Sequence, residues 1–409
     1  MQRQFEQRLL VLVTLALVAF GLVMVYSATS ASAAVDGGNP MQFLVKQGMY
    51  AAGGFVLLAV LWRLDYHRLR LFAPLALLGT LAACAAVLVI GPSINGAHRW
   101  FSVGPISLQP SEFAKLAVCL WVSVYLSRRP APRTLGELMK PVGIVVVLFA
   151  GLIVIEPDLG TAIALMLMVS CILLVSGIPL RLLGLAVTLA LIGGLGAIWM
   201  EPYRKARVMS FLDPWKDPLG TGFQNVQALI GLGSGGPGGE GLGRSISKLN
   251  YLPEAHNDMI FAVAGEELGL FATVFVLGAF GTFAWAGFRV ALSCRDPLGK
   301  RLAVGITALI AGQAAVNLAA VLGVAPLTGI TLPFISYGGS SLLMLLGAVG
   351  ILLNIAGNER VVEARVRDRS RGNSRSRQAR PRGGGSTSRS RSDRDVRRNT
   401  RPRRVAAGS

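Results

Sequence analysis

Apolar residues run along this chain in long stretches separated by short polar and charged breaks. Ten stretches are about as long as a helix needs to cross ~30 Å of hydrocarbon. They lie near residues 9–26, 43–62, 69–90, 112–126, 142–155, 161–175, 182–200, 259–283, 302–322 and 340–355. The expected fold class is an all-α integral membrane protein with about ten transmembrane helices. The first stretch, followed by small residues from Ser27 onward, resembles a secretory signal peptide. It exceeds the ~7–15 apolar residues of such a signal, and further spans follow directly, so it reads as a retained helix.

Lys and Arg in short connections stay on the cytoplasmic side. Arg3 and Arg8 precede the first span, and Arg63, Arg68 and Arg70 follow the second. Arg128, Arg129, Arg133 and Lys140 follow the fourth, Arg181 the sixth, and Arg289, Arg295, Lys300 and Arg301 the eighth. The connections 27–42, 156–160 and 323–339 contain neither residue type. This alternation places both termini in the cytoplasm. It leaves a long extracellular loop, about 201–257, between helices 7 and 8.

Composition narrows the function classes. The chain is 53% hydrophobic, with a mean hydropathy of +0.56, which soluble domains of this length do not sustain. Residues 1–358 form one polytopic membrane domain with no room for a soluble one. The four cysteines include no CxxC pair and the three histidines no HExxH, so neither a disulfide framework nor a zinc protease site is expected. Residues 359–409 are a different polymer, rich in Arg and Ser, holding 17 of the 40 Lys and Arg residues and most of the net charge of +19. Such a segment is expected to be a disordered cytoplasmic tail. It fits contact with anionic lipid, or docking to an acidic partner; no specific nucleic-acid site is read from it.

Charges inside a membrane are costly, so each one asks for a reason. Glu112 and Lys115 open the fourth span three residues apart, on one helix face, and can pair. A structural pair and a substrate role weigh equally, and Ser111 is placed to cap the helix. Glu156 and Asp158 flank Pro157 in an outer turn; turn chemistry explains the proline and Gly160 but not both acids. The glycine-rich run 231–243 lacks the Gly-Lys-Ser/Thr ending of a nucleotide loop and reads as a flexible hinge. Arg244, Lys248, Glu254, His256 and Asp258 then gather before the eighth span. On the residues alone Asp258 is a helix cap. Glu266 and Glu267, deeper in that helix, exceed what packing needs.

The ordered set Gly96-Ala97-His98-Arg99-Trp100, Gln109-Pro110-Ser111-Glu112, Glu156-Pro157-Asp158-Leu159-Gly160, Tyr251 to Phe261, Gly265-Glu266-Glu267-Leu268-Gly269 and Thr328 to Ser341 resembles the SEDS family. The run Leu252-Pro253-Glu254-Ala255-His256 is more like its division members than its elongation members. Asn257 and Met259 depart from the family pattern without touching Asp258. The resemblance implies a peptidoglycan glycosyltransferase that polymerises lipid II, the undecaprenyl-pyrophosphate-linked disaccharide peptide, at the outer face of the cytoplasmic membrane during septal wall synthesis and cell division.

It also assigns roles. Asp258 corresponds to the catalytic acid and is expected to act as general base. Arg99, Lys115, Arg244 and Lys248 are candidates for the pyrophosphate. Glu112, Glu156 and Asp158 are candidates for positioning substrate or holding a divalent cation, Mg or Mn; Glu254 and His256 are further substrate-binding candidates. No metal ligand set is assigned, and no covalently bound cofactor is expected. The implied partners are a class B penicillin-binding transpeptidase and other divisome proteins. Two other classes stay open: a lipid II flippase using Lys46, Glu112, Lys115 and Glu266 as a polar path, and a divisome scaffold recruiting the transpeptidase. Clustering of the acids on the outer side favours the enzyme.

Overall fold

All ten expected spans fall on helices in the computed structural model, which describes residues 2–35, 41–94, 96–104, 106–245, 247–248 and 255–357. The helices are α1 (Gln2–Val35), α2 (Met41–Arg63), α3 (Tyr66–Ile90), α4 (Pro110–Ser127), α5 (Leu135–Leu138), α6 (Ile144–Ile155), α7 (Leu159–Val175), α8 (Leu180–Met200), α9 (Pro202–Leu212), α10 (Phe223–Ser234), α11 (Ile260–Ser293), α12 (Pro297–Val321) and α13 (Gly339–Gly357). The basic tail and Glu254 lie outside the described residues.

Eight helical spans among the described residues are long and apolar enough to cross a membrane, α5 and α6 counting as one through a kink at Lys140. The two other expected spans are α7, at 17 residues, and α4, whose first turn holds Glu112 and whose second holds Lys115. Helix starts follow from local chemistry. Asp65 accepts from the His67 amide at the start of α3, Asp158 from Thr161 at α7, and Asp296 from Gly299 at α12, where Pro297 is the first helical residue.

Burial sorts the bundle. The centre is α12 and α13 together with α11, which packs against α1, α10 and α12; α12 also packs against α4 and α7. At the other extreme α8 buries only Leu182. Its exposed Leu191, Ile192 and Met200, like Leu71 and Val89 of α3, present apolar surface that only lipid solvates well.

Two regions differ from the sequence expectation. Residues 93–108, between α3 and α4, form two short hairpins: β1 (Ser93–Ile94) with β2 (Ala97–His98), and β3 (Phe101–Val103) with β4 (Ile106–Leu108). The segment 201–257, expected as one loop, contains α9 and α10.

The glycine-rich run is not a hinge. Gly269 breaks α11 with φ 65°, ψ −149°, leaving carbonyls exposed that the run answers. Glu240 and Gly241 donate their amides to the carbonyls of Glu266 and Glu267 (3.0 and 2.9 Å), and Leu270 donates to Gly236 (3.0 Å). A β-carbon on Gly235 would strike the Gly265 carbonyl, and one on Gly239 the Glu267 carbonyl. These glycines are small so that two backbones can touch.

Candidate functional site

Asp258 sits in a turn over 255–259, immediately before α11. The N-cap position of α11 belongs to Met259, whose side chain makes no capping bond. Asn317 fixes the Asp258 backbone, and Gly329 lies beside the carboxylate. Asn317 of α12 donates from Nδ2 to the Asp258 carbonyl (2.8 Å) and also to Ile330 (2.8 Å). Gly329, with φ 71°, presents an open face. A β-carbon there would lie 3.9 Å from Asp258 Oδ2 and 3.4 Å from Arg207 Nη1. Arg207 of α9 is steadied by the Leu327 carbonyl (3.4 Å) and by the Tyr203 ring, 4.7 Å from its guanidinium carbon. A carboxylate and a guanidinium thus flank one glycine.

A second line of contacts reaches this point from α4. Lys115 Nζ lies 2.9 Å from Glu112 Oε1 and 3.0 Å from Gln313 Oε1. Gln313 Nε2 donates to the Thr331 carbonyl (3.0 Å). Gln313 and Asn317 are four apart on α12 and share a face. Gln313, bound to the Glu112–Lys115 pair, and Asn317, bound to the Asp258 turn, therefore hold adjacent carbonyls, Thr331 and Ile330, of one connection.

The remaining residues from the sequence reading have other surroundings. Arg99 donates from Nε to the Glu156 carbonyl and from Nη2 to that of Pro157, both at 2.6 Å. Asp158 is buried; its Oδ1 caps Thr161 (3.0 Å) and its Oδ2 accepts from Gln109 Nε2 (3.1 Å). Ser111 does not cap α4: Gln109 holds that position and Pro110 opens the helix, which leaves Ser111 one residue inside. His256 packs its ring on Phe43 and Tyr337, with centroids 5.2 and 5.5 Å away, and its carbonyl accepts from the Tyr337 amide (2.9 Å). Arg244 is exposed, whereas Lys248 is buried against Glu267 Oε1 (2.9 Å).

Glu156 is fully buried in the turn between α6 and α7. Ser111 and Cys84 lie beside it, yet neither carboxylate oxygen has a partner of good geometry. Burial, and then the charge of Asp158, push its pKa up to about 8. Among the described residues no three His, Cys, Asp or Glu side chains gather in a metal-holding group. The chemistry below rests on the chain's own groups.

Sequence reasoning missed Arg207, Gln313 and Asn317. Arg207 stands in a segment where exterior Lys and Arg carry little topological weight. The two amides are the signal that was available: buried polar side chains one turn apart in an apolar helix.

Residues 7–361 match the model of the cell cycle protein family that groups FtsW, RodA and SpoVE. The chain is 40% identical over 363 residues to a probable peptidoglycan glycosyltransferase FtsW of Shewanella sediminis, covering 88% of each chain. It is 38% identical to stage V sporulation protein E of Bacillus subtilis, over 86% of this chain and 97% of that one. Among solved structures it resembles a chain from work on a peptidoglycan synthase complex coordinating polymerization and crosslinking (TM-score 0.71, 33% identity, 85% of this chain and 97% of that one). It also resembles Thermus thermophilus RodA (TM-score 0.64, 29% identity, 85% and 96%).

Proposed function

The chain belongs to the FtsW/RodA/SpoVE family of cell cycle proteins, and from that membership we infer that it is a membrane peptidoglycan glycosyltransferase, polymerising lipid II for the wall built at cell division. The single observation that supports a site for it is that Asp258 and Arg207 both stand beside Gly329. Transfer of a glycosyl group from a lipid pyrophosphate to a sugar hydroxyl needs a base for the hydroxyl proton and cationic charge for the departing pyrophosphate. Asp258 supplies the first: its carboxylate takes the proton of the acceptor hydroxyl as that oxygen attacks the anomeric carbon. Arg207 supplies the second, and Arg244, which is exposed, is a further candidate for it. Asn317 holds the Asp258 backbone so that the carboxylate meets the acceptor in one geometry.

The reading puts this end of the bundle at the outer face of the cytoplasmic membrane, and the protein at the septum. Its partner is a class B transpeptidase, which crosslinks the strands made here. A flippase would use Lys46, Glu112, Lys115 and Glu266 along a polar path. The last three are instead engaged inside the bundle, Glu112 and Lys115 with each other and Glu266 with Ser245. The test is direct: the purified chain with its transpeptidase partner and labelled lipid II yields a ladder of glycan strands. Transbilayer movement of lipid II with no ladder overturns the reading.

A further inference from the structure

Two adjacent carboxylates of α11, Glu266 and Glu267, are buried, and both reach back to the segment that precedes Asp258. Ser245 Oγ donates to Glu266 Oε2 (2.6 Å), and Lys248 Nζ lies 2.9 Å from Glu267 Oε1. Ser27 of α1 completes the second contact. Its hydroxyl lies 2.8 and 2.6 Å from the two Glu267 oxygens, and its carbonyl accepts from Lys248 Nζ (3.3 Å). Lys248 is 4% exposed and Glu267 0%. An ammonium so enclosed, with a carboxylate and a carbonyl already bound, cannot meet a pyrophosphate without abandoning them.

Asp258 lies in the stretch of chain between Lys248 and Glu267, so their ion pair closes the loop that carries it. We propose that Lys248 and Glu267 are positioning residues, a buried clasp that restricts where the Asp258 turn can stand. Closing a loop at its ends reduces the conformations open to it. A carboxylate base gains its rate from being held at the acceptor hydroxyl rather than near it. The clasp also explains why Glu267 stands where packing needs no acid. Its catalytic consequence rests on the glycosyltransferase reading; its structural part does not.

Breaking a buried ion pair on one side leaves an uncompensated charge, whereas replacing both members with apolar side chains of similar volume is close to neutral. The Ser27 hydroxyl then falls back on a carbonyl of its own helix. This separates a clasp from a substrate contact. Glu267→Gln, Lys248→Met and the double variant Lys248→Met/Glu267→Met are compared in the purified complex. Detergent melting temperature, kcat and KM for lipid II are measured, together with maleimide labelling of an Ala255→Cys probe at a buried position of the Asp258 turn.

The expected result is that each single variant labels faster and loses kcat by about 10²-fold with KM little changed, and that the double variant recovers both labelling and kcat. A double variant with restored labelling but the kcat of Lys248→Met would place Lys248 on the substrate and overturn the proposal. Single variants with wild-type kcat and labelling would overturn it as well. If the wild-type complex makes no strands, the glycosyltransferase reading fails while the labelling series still decides the clasp.

Discussion

Gly269 and Gly239 approach so closely that a β-carbon built on Gly269 would lie 2.5 Å from the Gly239 amide nitrogen. Gly269 also holds a backbone conformation that side chains avoid, at about 1–3 kcal/mol for the conformation alone. Gly269→Ala is expected to lower the melting temperature sharply and reduce recovery of folded protein in detergent. Gly278→Ala, in the same helix with open space around it, is the control and should be neutral or stabilising, since Ala outranks Gly in a helix by roughly 0.5–1 kcal/mol.

Asp258→Asn separates a structural role from a catalytic one. Both side chains accept an amide hydrogen bond equally well, but only the carboxylate takes a proton. Strand synthesis should fall by about 10²–10⁴-fold with insertion and melting temperature retained. Asp258→Glu keeps the base and displaces it, so it should recover part of the rate. An Asn variant with near wild-type rate would leave Asp258 as a structural residue only.

The Glu112–Lys115 pair gives a stability prediction. Lys115→Met strands a buried carboxylate, a change that typically costs about 3–5 kcal/mol. Glu112→Gln/Lys115→Met removes both charges and should recover most of the loss. Thermal melts of the three proteins in one detergent decide it; equal losses in the single and double variants would mean that the charges themselves are not the source.

Glu156 gives a pH dependence. Its folded pKa, about 8, lies above the ordinary 4.5. A raised carboxyl pKa contributes stability that is complete below 4.5, declines as pH rises through the window between the two values, and levels off above about 8. Glu156→Gln mimics the neutral form. It should flatten the melting-temperature profile between pH 5 and 8 and leave the variant the more stable protein at the alkaline end. Parallel profiles for the two proteins would refute the assignment.

The orientation read from Lys and Arg is open to a labelling test. A cysteine at Ser234, the end of α10, should react from outside intact cells, and one at Gly136, in α5, should not. Reversed labelling would invert the bundle.

Hydropathy located the spans because lipid demands long apolar helices, and α4 was found despite Glu112 and Lys115 because the apolar run behind them is long enough. The helices inside 201–257 were invisible to the same signal: α9 carries Tyr203, Arg204, Lys205 and Arg207 on a surface that needs no continuous apolar stretch. The glycines at 235 and 239 were misread because a flexible hinge and a backbone-to-backbone contact have the same composition. What distinguishes them is the facing break at Gly269, and no local pattern near residue 235 announces it. Asp258 was singled out from its motif, whereas Arg207 and Asn317 come from distant elements that only the fold brings beside it.

The break in α11 also bears on how the protein is made. A helix with two acids and an interrupted hydrogen-bond ladder inserts poorly as an isolated segment. Ser27, Gly236, Glu240, Gly241, Ser245, Ser247 and Lys248, which answer this break and its two acids, all come earlier in the chain. During synthesis they are already outside the ribosome when α11 emerges. The helix can lock to a surface that is waiting for it, before α12 and α13 exist, and the last two helices then close over a junction already formed.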